Sequence, residues 1–246
     1  MTIQLDPVLA QCRLPLWYPK LAAFSLPTAF VALTPEEIQA LADGEKATHP
    51  AAKQVISRIK PLLVNFSYFR FFSVDLAAPT DTERFKLKGG SVRSAKSAWE
   101  VLTASEKVRE SAKRGEVTSI CIRPYRNMEP AREFRLFVKD GKLFAMSQYW
   151  LKRHYARFEK QEKKLWEKAV KFIEKNGWAL PLRDVVVDVY YTSSGRVLIT
   201  DLNPLGSPTD PLMFNKWENF DWNGEPAGIK LIPKPLKLSG DINVSF

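Results

Sequence analysis

Oxygen-bearing side chains stand at suggestive spacing in the stretch DVVVDVYYTSSGRVLITDLNP, from Asp184 to Pro204. Asp188 interrupts a run of valines, Asp201 ends a run of aliphatics, and Asn203 follows two residues later. Two β-branched runs around Ser193-Ser194-Gly195 read as a hairpin. Counted inward from that turn, Asp188 and Asp201 fall opposite each other on neighbouring strands, with side chains able to share one face. Like charges so placed repel and need neutralising. A divalent cation would do this, and Asn203, on the same side by period two, would add a third oxygen. The set suits Mg²⁺, which takes few carboxylates beside waters and substrate phosphates, better than a Ca²⁺ cage. The competing reading is aspartates that cap turns or pair with Lys and Arg.

Phosphates need positive charge, and three segments offer it. RFKLKGGSVR places Lys86, Lys88 and Arg93 around a Gly89-Gly90 loop, with the two lysines on one face of a short strand by period two. A solvated charged turn is the alternative, because a glycine loop alone is a weak signal. EFRLFV sets Arg135 between Phe134 and Leu136, and ICIRPY ends on Arg123 and its neighbours. A half-buried arginine wants an anion, either a neighbouring carboxylate such as Glu133 or a ligand phosphate. No general base and no acceptor site stands out, so the catalytic residues are unassigned.

The chain of 246 residues carries a net charge of +10, which suits a polyanionic partner or else a merely soluble basic surface. Apolar residues make up 45% and charged residues 26%, the balance of a globular protein. No apolar run is long enough to span a membrane, and the opening MTIQLDPVLAQC lacks a secretory pattern, so a cytoplasmic location and no membrane partner are expected. Cys12, Cys121, His49 and His154 form no zinc-ligand spacing, which leaves oxygen ligands for any metal.

The elements that would position these groups alternate between helix and strand. CRLPLWYPKLAAFSLPTAF reads as an extended arm. Thr34 caps a helix in TPEEIQALADGE, with Pro at its first position and Glu37 at the capping-box position. A second helix is expected over 48–62, ending at Lys60-Pro61, and a strand over 65–76. Strand, Gly-Gly loop and helix follow over 84–102, then a strand over 116–125. EFRLFVKDGKLFAMSQYW alternates cleanly about Asp140-Gly141, a strong hairpin signal. Residues 151–178 read as one long amphipathic helix. Its basic part, 152–175, is either a surface for a protein or RNA partner or a solvated face balanced by Glu159, Glu162, Glu167 and Glu174. The tail from Trp217 is expected to wrap back over the body. The class is α+β with antiparallel hairpins.

Several segments resemble the cell division cycle protein 123 (D123) family. They are CRLPLWYPKLAAF, FKLKGGSVRS, ICIRPYRNMEPAREFRLFVKDGKLFAMSQ and DVYYTSSGRVLITDLNPLGSPTDPLMF, in the family's order along nearly the full chain. The resemblance implies an ATP-grasp fold, in which two antiparallel sheet subdomains sandwich a nucleotide. It places an arm and lysine-loop subdomain over 1–115 and a metal-binding subdomain with its tail over 116–246. It makes Asp188, Asp201 and Asn203 the Mg²⁺ ligands. Lys86, Lys88, Ser91, Arg123, Arg135 and Gln148 become contacts on ATP. The chain departs from the family pattern at Val92-Arg93-Ser94, at Tyr125 where a Trp is usual, and at Tyr149 where an Arg is usual. The leading functional expectation is a ligase-like enzyme that phosphorylates a carboxylate on a protein, peptide or small molecule. The alternative is an ATP-dependent assembly or regulatory factor for a translation-related partner with little turnover. Third comes nucleotidyl transfer or ligation on nucleic acid.

Overall fold

A computed structural model describes residues 5–235. It contains two sheets. The smaller joins β1 (Ala29–Ala32), β2 (Arg70–Val74) and β3 (Ser119–Pro124) in the antiparallel order β1-β3-β2. The larger joins β4 (Glu133–Lys139), β5 (Lys142–Gln148), β6 (Val185–Tyr191), β7 (Val197–Pro204) and β8 (Gly228–Lys230) in the order β7-β6-β4-β5-β8. The class is α+β with two sheets, as the sequence resemblance implied. One detail differs. The larger sheet is mixed rather than antiparallel, because the tail adds β8 alongside β5 in the parallel sense.

Helices fill the outside: α1 (Pro7–Gln11), α2 (Leu14–Leu21), α3 (Pro35–Ala42), α4 (Pro50–Leu62), α5 (Glu83–Lys88), α6 (Ala95–Ala104), α7 (Glu106–Lys113), α8 (Ala156–Glu159) and α9 (Glu162–Asn176). Residues 14–21 are helical where an extended arm was expected. Leu14, Trp17 and Leu21 recur at three- and four-residue spacing, and all three are buried. Helix α3 has the expected capping box: the Glu37 amide donates to Thr34 Oγ1 at 3.3 Å, and the Thr34 amide donates to Glu37 Oε2 at 2.9 Å. Helix α4 runs through Pro61, which lies in its final turn.

The strand expected over 65–76 is confined to Arg70–Val74. The buried Arg70 guanidinium gathers the carbonyls of Leu63, Phe66, Tyr68 and Arg93, and so holds 63–69 as a turn. The single helix expected over 151–178 is two pieces. Gln148 Nε2 donates to the carbonyls of Trp150 and Arg153, which pulls the first residues out of helical form. No helix among the described residues is long and apolar enough to cross a membrane.

Side chains of the larger sheet divide by period two. Phe134, Leu136, Val187 and Leu202 enter one core with Trp17 and with Phe172 of α9. Phe137, Ala145 and Val186 face the other way, where Phe214 and Phe220 from the tail cover them. Trp222 stacks on Phe220 at 4.5 Å, so the tail does wrap back as expected within the described residues. The small sheet has its own core, built on Leu41, Val55, Ile59, Phe72, Trp99 and Ile122.

Candidate nucleotide and metal site

Strand pairing sets a polar row across the larger sheet. Asp201 of β7 lies opposite Asp188 of β6, Asp188 opposite Arg135 of β4, and Arg135 opposite Ser147 of β5. The expected register of the two aspartates is therefore present. The register shifts just beyond them, because β7 carries Thr200 as an extra residue between Ile199 and Asp201. Such a bulge re-aims the backbone. Here Thr200 Oγ1 donates to the Asp188 carbonyl at 3.1 Å, and its own carbonyl turns towards the small sheet.

Asp188 is 4% exposed and Arg135 7%. Arg135 grips Asp188 with two parallel bonds, Nε to Oδ1 at 2.7 Å and Nη2 to Oδ2 at 2.8 Å. Its third nitrogen, Nη1, donates to the Asp210 carbonyl at 2.7 Å. This fork geometry offsets the charge of one carboxylate. Asn203 Nδ2 adds a bond to Asp188 Oδ2 at 3.1 Å, which leaves its amide oxygen available. Asp201 has no ion-pair partner among the described residues, and its one bond comes from the Leu202 amide at 3.0 Å. Burial, and next the charge of Asp188, push its carboxyl up to about 7. Burial likewise pushes Glu133, two residues before Arg135 on β4, up to about 7.

Arg123, next to last in β3 of the small sheet, reaches across to the larger one. Its Nη1 donates to the Thr200 carbonyl at 2.8 Å and its Nε to Thr28 Oγ1 at 3.2 Å. Its Nη2 is buried with no partner. Nearby, Ser25 Oγ, in the segment leading into β1, donates to the Ile199 carbonyl at 2.8 Å, a second tie to β7 beside the Arg123–Thr200 bond.

A cavity of about 550 Å³ opens next to this row, lined by Arg135, Tyr149, Lys152, Asn203, Thr209 and Asp210 among others. The Arg135 guanidinium stands 5.2 Å from the Tyr149 ring centre. Ser147 was not singled out from the sequence, and Tyr149 entered only as a departure from the family pattern. Period two from the Arg135 pairing finds them, but only once that pairing is known.

The lysine loop takes another form. Lys86 and Lys88 lie on α5 and not on a strand. Thr82 caps this helix through its hydroxyl, and Gly89 ends it in the left-handed region at φ 59°. A Cβ on Gly89 would come within 2.5 Å of the Tyr125 hydroxyl, so the close approach also requires glycine. Lys88 and Ser91 share a second cavity of about 450 Å³ with Phe69, Arg84 and Arg93. Lys86 is outside it, paired with Glu83 at 2.7 Å on the surface.

Gln148 lies on the opposite face of β5 from the polar row, since its register partner Phe134 enters the helix-side core. Its amide is engaged on both sides: beside the two carbonyls above, Oε1 accepts from the Ile232 amide at 3.3 Å. Of the sequence candidates, Asp188, Asp201, Asn203 and Arg135 thus form one cluster, and Lys88 and Ser91 a second. Arg123 sits at the seam, while Lys86 and Gln148 stand apart.

The donor set fits a hard cation. Among the described residues no group of three or more His, Cys, Asp and Glu side chains gathers as a metal site. Two carboxylates with an amide oxygen remain, the kind of set that Mg²⁺ accepts when phosphates complete its shell. Among the described residues Asp201 has no ion pair, and Arg123 Nη2 has no hydrogen-bond acceptor.

The model of the D123 family matches residues 91–235. A zebrafish (Danio rerio) protein named translation initiation factor eIF2 assembly protein is 40% identical over 102 residues, 41% of this chain and 29% of that protein. Cell division cycle protein 123 of Candida glabrata is 34% identical over 109 residues, 44% of this chain and 30% of that protein. The matched segments thus span less than a third of either relative. The structure of Cdc123 from Schizosaccharomyces pombe superposes with a TM-score of 0.79 at 20% identity, covering 95% of this chain and 100% of that one, a likeness of fold. With the family match running over more than half of its length, the chain belongs to the D123 family.

Proposed function

We propose that the chain binds Mg²⁺ and ATP between its two sheets and, in the nucleotide-bound state, serves as an assembly factor for a protein partner. The observation that carries the reading is the row Asp201–Asp188–Arg135 with Arg123 above it. It contains one carboxylate in need of a cation and one buried guanidinium nitrogen in need of an anion. A Mg²⁺–phosphate pair supplies both charges. Asp188, Asp201 and Asn203 would hold the ion, which when bound neutralises phosphate charge. Arg123 would meet a phosphate oxygen, with Lys88 and Ser91 approaching from the small-sheet side. Arg135 fixes the direction of the Asp188 carboxylate.

The assembly role is favoured over ligation by the relatives' names. A ligase would also need an acceptor site beside the transferred phosphoryl group, and none can be named from the residues.

Calorimetric titration of ATP with and without Mg²⁺, on wild type and Asp201→Ala, tests the site. Mg²⁺-dependent binding that is lost in the variant is expected. Equal binding by both proteins would move the nucleotide elsewhere, and no binding by either would leave the row purely structural. Acceptor-dependent release of ADP and phosphate would favour the ligase over the assembly reading.

A further inference from the structure

Helix α9 carries a feature that the nucleotide site does not use. Lys164, Lys168, Lys171 and Lys175 are spaced by four, three and four residues, which puts them on one face of the helix. With a rise of about 1.5 Å per residue, the row is about 16 Å long. None of the four is ion-paired among the described residues. The pair within α9 is Lys163–Glu167 at 3.9 Å, on the adjoining line. Lys168 Nζ stands 4.6 Å from the Tyr191 ring centre, which fixes it in place without neutralising it. Burial lowers its pKa, as do the charges of Lys164 and Arg132.

The row ends in an aromatic side chain. Three residues beyond Lys175, in the 3₁₀ turn Gly177–Ala179, Trp178 is 83% exposed. An indole in that position gains nothing from the core and offers a free face.

We infer that the Lys164–Lys168–Lys171–Lys175 row and Trp178 form a track for single-stranded RNA, the lysines following the phosphates and the indole stacking on a base. Charge complementarity selects a polyanion. The linear order of the cations, with one aromatic platform at the end, selects a strand over a folded acidic protein. Protein interfaces have an apolar core from which Lys is depleted, and this face has no such core. Non-specific single-strand binding instead combines a cationic path with stacking side chains. The track is independent of the proposed nucleotide site, which lies across the larger sheet.

The test is fluorescence anisotropy of a labelled oligouridylate of about 12 nucleotides with the full chain. Salt is varied between about 50 and 200 mM. Four phosphate contacts on a single strand give a log–log salt slope of about −3. Lys164→Glu/Lys171→Glu is expected to weaken binding more than about tenfold and to flatten the slope by about half. Trp178→Ala is expected to weaken it about tenfold with the slope unchanged. All three positions are on the surface, and an unchanged urea midpoint verifies that each variant is folded. Absence of binding at the lowest salt, or an unaltered affinity in the double variant, overturns the proposal. So does polyglutamate of equal charge binding as tightly as the oligonucleotide, which would make the face one for acidic protein.

Discussion

One face of the five-stranded sheet is mainly apolar, while the other is apolar under the tail and charged beside the cavity. Towards α9, Phe134, Leu136, Val187 and Leu202 are apolar and shut away from water. Towards the cavity, one step along the same strands, Arg135, Asp188 and Asp201 stand side by side. The apolar face is stabilised by burial, at about 25 cal/mol per Å² removed from water. The polar row is costly to bury and holds only because its charges are mutually arranged. The first face makes the sheet, and the second makes use of it.

The sharpest way to break this contrast is to unpair the row. Arg135→Met leaves Asp188 buried with Asn203 as its remaining side-chain partner, and a loss of about 3–5 kcal/mol is expected in urea unfolding near neutral pH. Adding Asp188→Leu should recover most of that loss, because two well-packed apolar groups avoid the desolvation cost. A double variant no more stable than Arg135→Met would show that the row carries stability of its own. Leu136→Ala, from the adjoining position on the other face, should lose about 3 kcal/mol while Mg²⁺-dependent ATP binding persists. Loss of that binding at unchanged unfolding cooperativity would show that the faces are not separable.

A finer contrast comes from Glu133, on the same strand and in the same alternation as Arg135. Its carboxyl is pushed from an ordinary value of 4.5 up to about 7, chiefly by burial. A carboxyl raised on folding binds its proton more tightly in the folded state. It contributes stability that is complete below its unfolded pKa and is lost as the pH rises through about 7. Glu133→Gln removes the titration, so its stability relative to wild type should be greater at pH 8 than at pH 5. Parallel pH profiles for the two proteins would contradict the shift.

How much of this was legible beforehand follows from how local each feature is. The opposition of Asp188 and Asp201 could be counted from the Ser193–Gly195 turn, since a hairpin fixes its own register. The Asp140-Gly141 turn gave the β4–β5 hairpin for the same reason, and both residues take the positive φ it requires. The grip of Arg135 on Asp188 could not be counted. It depends on β4 pairing with β6, and α8 and α9 lie between those strands in the chain. The Thr200 bulge leaves no mark in an otherwise regular aliphatic run.

Lys86 and Lys88 misled because Phe85 and Leu87 alternate with them as in a strand. Thr82 before and Gly89 after are the cap signals that outweigh such a short alternation. In residues 14–21 the prolines drew attention away from the helical spacing of Leu14, Trp17 and Leu21. Gln148 followed from the resemblance, yet its position opposite Phe134 turns it to the other face.

The attachment of β8 has a consequence for how the molecule meets other copies of itself. β5 runs from Lys142 to Gln148 and is buried at every position after the first. Its outer hydrogen-bonding edge is covered by β8, paired through Gly228, Ile229 and Lys230. A flat apolar strand with a free edge is a template for intermolecular pairing and aggregation. That short segment, held further by Gln148 and by His154 Nδ1 at the two backbone groups of Ile232, therefore acts as a guard on solubility as well as a cover for the fold.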